Sequence, residues 1–102
     1  MNPSTSVPAQ ARELLRRFED GGEKPRCTDD LLLFLYRLHD RGTILESRST
    51  IFRGKSFHPL HPLIYDLESR PDMTMADEHQ CEVILTLLRD LASGMILVSV
   101  KE

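Results

Sequence analysis

Tryptophan is absent and only six of the 102 residues are aromatic, so a core has to be built from Leu, Ile, Val and Met. Long apolar runs are missing as well. The longest, Leu31 to Leu35, falls far short of the roughly 20 residues that cross a bilayer, which excludes a membrane span of the helical kind. The first six residues, Met1 to Ser6, have neither the basic start nor the apolar stretch of an export signal, and the chain is expected to be cytoplasmic. Cysteine is scarce. Cys27 and Cys81 form no Cys-x-x-Cys pair, and without an export signal two cysteines read as thiols rather than a disulfide.

No strong excess of basic charge is present either. The net charge is −3, whereas a protein that binds nucleic acid over its whole surface is usually strongly basic. The balance is uneven along the chain. Residues 24–55 carry 7 basic and 4 acidic side chains, and residues 56–102 carry 3 basic and 8 acidic. A basic middle and an acidic C-terminal half result, which can be a docking device or simply a solvated mixed surface.

The length allows one domain, read as a flexible tail over residues 1–6 and a folded unit over 7–102. Ser6 is placed to cap a helix with Pro8 in its first turn, and Ala11, Leu14, Leu15 and Phe18 recur at helical spacing until Gly21-Gly22. Thr28 can cap a second helix that has Asp29 and Asp30 in its first turn and Gly42 at its end. Thr43 to Glu46 reads as a short strand, and the residues after it read either as a return strand over 51–57 interrupted by Gly54 or as an irregular loop over 47–58. Pro62 opens a short helix whose stripe is Leu60, Leu63, Ile64 and Leu67, broken at Arg70-Pro71-Asp72. Thr74 to Glu78 has the cap and acidic first turn of a last long helix, with Ile84, Leu87, Leu88 and Leu91 as its stripe and Gly94 as its stop.

Residues 95–100 are the clearest strand. Their continuous apolar character predicts cover on both faces, and a proline at position 98 is expected to break a ladder. The fold class that results is α+β, three or four helices on a small sheet containing 43–46 and 95–100. An all-α fold with one marginal C-terminal strand is the alternative. At an offset of 52 the second helix and its strand align with the last helix and its strand, with seven identities in the 20 pairs from residue 29 to 48, including Gly42/Gly94, Ile44/Ile96 and Leu45/Leu97. This reads as a repeated helix-to-strand device.

Chemistry is sparsely signalled. His58-x-x-His61 and His79-x-Cys81 hold zinc-ligand residue types in no strong zinc spacing, and residues 79 and 81 of a helix point about 200° apart. Cys27 precedes a helix N-terminus, which favours thiolate, but no pattern brings a histidine to it. Gly54-Lys55-Ser56 lacks the earlier glycine of a phosphate loop. No metal, cofactor or catalytic residue is therefore expected.

Two surfaces remain as partner sites. Residues 48–58 contain no acidic side chain, and there Arg48, Arg53 and Lys55 can meet phosphates while Phe52 can stack on a base or pack inward. In the acidic half, Asp77 and Glu78 stand for a face that can dock on a basic groove, besides favouring a helix start. The function expected on these grounds is that of a small non-enzymatic protein-binding regulator, adaptor or stoichiometric inhibitor. Phage- or bacterium-encoded inhibitors of a host enzyme or defence complex have this size and charge, which is an analogy without residue-level match. A nucleic-acid-binding regulator using residues 48–58 is the alternative. An apolar strand at a sheet edge also points to a homodimer.

Overall fold

The computed structural model describes residues 6–20, 29–50, 52, 57–58, 60–69 and 78–101. Four helices and two strands follow one another in the order α1 (Val7–Asp20), α2 (Asp29–Arg41), β1 (Gly42–Ser47), α3 (Leu60–Glu68), α4 (Glu78–Ser93) and β2 (Ile96–Val100). The class is α+β, with the helices packed on a two-stranded antiparallel sheet.

The helical stripes become the core. Ser6 caps α1 by accepting a hydrogen bond from the Ala9 amide at 3.3 Å, and its carbonyl receives the Gln10 amide at 2.9 Å. Ala11 and Leu14 are buried, and Leu15 and Phe18 pack partly buried beside them. In α2, Leu31, Phe34, Leu35 and Leu38 point inward, whereas Leu33 is 68% exposed. The stripe of α3 is buried at all four positions, and the helix starts two residues ahead of Pro62, which sits in its first turn. Cys81, Ile84, Leu87, Leu88 and Leu91 form the buried side of α4. Helix α1 lies on α4 and α2 lies on α3, while the sheet rests against α2 and α4. Exposed ion pairs join α1 to its neighbours, Arg17 to Asp30 at 2.9 Å and Arg89 to Glu19 at 2.8 Å.

The partner of β2 is β1. Gly42 faces Val100, Thr43 faces Ser99 and Ile44 faces Val98; past a bulge at Leu45, Glu46 faces Leu97 and Ser47 faces Ile96. The helix-to-strand echo thus appears as two units, α2–β1 and α4–β2, whose strands pair with each other. Gly94, at φ 85°, makes the turn out of α4.

Most of the segment expected as a return strand or irregular loop, residues 51 and 53–56, lies outside the described residues; Phe52 is 1% and Phe57 5% exposed, with centroids 6.3 Å apart. One expectation is corrected: β2 is not covered on both faces. Ile96 is buried, and Leu97 is 46% exposed, because the helices lie on one side of the sheet only.

Candidate interaction surface

The residues proposed as partner contacts separate when placed on the fold. Arg48 is exposed just past β1, with Nε 3.3 Å from Oε1 of Glu46. Glu78 is exposed at the first turn of α4. Phe52 is a core residue, so a stacking role for it is overturned: its ring is buried beside that of Phe57 and presents no face to a base. Arg53, Lys55 and Asp77 lie outside the described residues, as do Cys27 and the caps Thr28 and Thr74.

The chain after β1 is held down rather than displayed. The Arg48 amide donates to the Met95 carbonyl at 2.7 Å, extending the ladder by one step. Ser49 is 5% exposed, and its hydroxyl donates to Oδ2 of Asp90 at 2.5 Å while its oxygen receives the Phe52 amide at 3.3 Å. The Ser47 hydroxyl donates to the Phe52 carbonyl and accepts from the Ser49 amide. Asp90 therefore belongs to an internal contact, and Asp66 receives the Gln80 side-chain amide, so two carboxylates of the acidic C-terminal half are engaged within the fold.

Among the described residues, no three of His, Cys, Asp and Glu gather as a metal site. His39 of α2 and His61 of α3 approach with ring centroids 5.6 Å apart, and Nδ1 of His39 lies 3.0 Å from Asp40. An open groove of about 320 Å³ runs between α1 and α2, lined by Glu13, Arg17, Asp30, Leu33 and Arg37. Its walls carry both signs of charge and already pair across it through Arg17 and Asp30.

The surface that stands out was not singled out from the sequence. Side chains alternate across a sheet, so the inward set Ile44, Ile96 and Val98 leaves Thr43, Glu46, Met95, Leu97 and Ser99 on the other side. The bulged Leu45 joins that outer side. Leu45 is 57% exposed, Leu97 46% and Met95 41%, three of the five large apolar side chains displayed among the described residues. Glu46 and Arg48 border them with one charge of each sign. The identity of Leu45 and Leu97 in the two helix-to-strand units was the available signal: two apolar residues at the same outward register.

No helix among the described residues is long and apolar enough to cross a membrane. No family model matches the chain, and neither a curated protein nor a solved structure matches it.

Proposed function

We propose that this chain is a small non-enzymatic regulator that binds another protein and acts by occupying its surface, as a stoichiometric inhibitor does. One observation carries the reading: Leu45, Met95 and Leu97 are displayed together on the uncovered side of the sheet. Contiguous exposed apolar groups in a small domain mark interaction surfaces, since leaving them in water costs free energy that docking recovers. The partner surface this face fits is a folded protein with an apolar centre, bordered by groups that satisfy Glu46 and Arg48. A cytoplasmic setting belongs to the same proposal.

The test is capture from nuclease-treated lysate, with the wild-type chain and Leu45→Lys as parallel baits, followed by reconstitution with the purified protein. The expected result is a partner held by the wild type, weakened at least about tenfold by Leu45→Lys, and inhibited or altered in activity at one-to-one stoichiometry. Association that vanishes with nuclease, or is indifferent to Leu45→Lys, would overturn it.

A further inference from the structure

Among the described residues the two-stranded sheet has two unpaired edges, and they are protected differently. On β1 the bulge at Leu45 distorts the edge and Glu46 adds a charge, both devices that discourage pairing with another chain. On β2 the sequence Ile96-Leu97-Val98-Ser99-Val100 has no charge, no proline and no bulge.

The direction of its backbone groups can be read from the ends of the ladder. The Lys101 amide donates to the Arg41 carbonyl at 3.0 Å, and the Met95 carbonyl accepts from the Arg48 amide. Residues two apart in a strand share a direction, so Leu97 and Ser99 also face β1. The N–H and C=O groups of Ile96, Val98 and Val100 therefore point away from β1, along the free edge.

We propose that this edge pairs antiparallel with the β2 edge of a second copy of the chain, about a two-fold axis at Val98, giving a continuous four-stranded sheet. Val98 then faces Val98, Ile96 faces Val100, and the outward groups form about six interchain hydrogen bonds. The charge pattern selects a second copy. The paired residues are uncharged, and the nearest charges in sequence, the two Lys101 side chains, end about 20 Å apart, beyond the screening length. The axis is perpendicular to the sheet, so the outer faces stay on one side and Leu97 lies beside Leu97 of the second copy, roughly 7 Å away diagonally. This pairing does not depend on the docking face proposed above, and it leaves that face open and doubled.

Sedimentation equilibrium on the purified full chain tests it, since no other partner is needed. The expected result is a monomer–dimer equilibrium across the micromolar range. Leu97→Lys and, separately, Ser99→Lys weaken it by about tenfold through like-charge repulsion across the axis, with an unchanged circular-dichroism spectrum because both side chains are exposed. Mixing Leu97→Lys with Leu97→Glu restores association, and raising the salt weakens the restored pair. Hydrogen exchange supplies a second readout: the amides of Ile96, Val98 and Val100 gain protection with concentration, while those of Leu97 and Ser99 are protected in the monomer. A chain that stays monomeric at high micromolar concentration overturns the proposal. So does a dimer that ignores both lysine variants, or one that gives no added protection at Val98.

Discussion

The hydroxyl of Ser49 donates to the carboxylate of Asp90 across 41 positions of sequence, at 2.5 Å and with Ser49 nearly fully buried. This bond ties the chain leaving β1 to the last turns of α4, the helix that delivers β2. The two halves of the sheet are thus linked twice, once by the ladder and once by this contact beside it.

Ser49→Ala is therefore expected to destabilise the fold by roughly 1–3 kcal/mol, since it removes the donor to a part-buried carboxylate and the acceptor of the Phe52 amide. Asp90→Asn keeps an acceptor at the same place and is expected to cost less. Urea unfolding of the two variants measures the difference, and equal stability of Ser49→Ala and wild type would contradict the role given to this bond.

Proline substitutions in β2 separate its two rows of backbone groups. Position 98 looks from the sequence like an ordinary ladder position, but its N–H points to the free edge, whereas that of Ser99 points to β1. Ser99→Pro is expected to lower the melting temperature by about 10 °C. Val98→Pro, at an edge-facing position, is expected to lower it clearly less in the chain diluted to the monomer. Thermal melts by circular dichroism decide this, and the reverse order would refute the assigned direction of the strand.

The helices were legible because burial repeats every 3.6 residues and a stripe such as Leu60, Leu63, Ile64 and Leu67 can be read locally. Strand β2 was legible from its β-branched residues, but not its partner or its exposed face. Pairing with β1 joins residues 49 to 58 positions apart, and whether Leu97 is covered depends on a second layer that is not there. Phe52 was misplaced for a related reason: residues 47–58 have no periodicity, and only the packed position of the ring decides between core and surface. Ser49 and Asp90 carry no pattern at all, so neither half of that bond announces the other.

Two glycines of the echo hold their places for different reasons. At Gly42 an added Cβ would collide with the Leu38 carbonyl oxygen in the last turn of α2 and stand 3.0 Å from Cε2 of Phe57. At Gly94 the space is open and the constraint is the φ of 85°. Gly94→Ala is expected to cost about 1–2 kcal/mol, and Gly94→Asn less, because Asn tolerates the left-handed region. Gly42→Ala and Gly42→Asn are both expected to cost about 2 kcal/mol or more, with no advantage to Asn. Denaturant midpoints of the four variants test this, and relief by Asn at position 42 would show the constraint there to be conformational.

The contact between α2 and α3 has a pH signature. The Tyr36 hydroxyl hydrogen-bonds to the Glu68 carboxylate, and this bond, with partial desolvation and the nearby charges of Glu68 and Asp40, raises the phenol above its ordinary value of 10.0. A hydrogen bond given by the neutral phenol is lost when it ionises, and the phenolate would face a carboxylate. A raised folded-state value means that the folded chain holds this proton more tightly than the unfolded one. The stabilisation is thus complete below the unfolded value near 10 and disappears as pH rises through the higher folded value. Tyr36 and Tyr65 are the chain's two tyrosines, so Tyr65→Phe leaves one phenol to follow by its phenolate absorbance. In that background Glu68→Gln is expected to move the titration back toward 10, and Tyr36→Phe is expected to flatten the alkaline fall in melting temperature. A Tyr36 titration unchanged by Glu68→Gln would remove Glu68 as the cause.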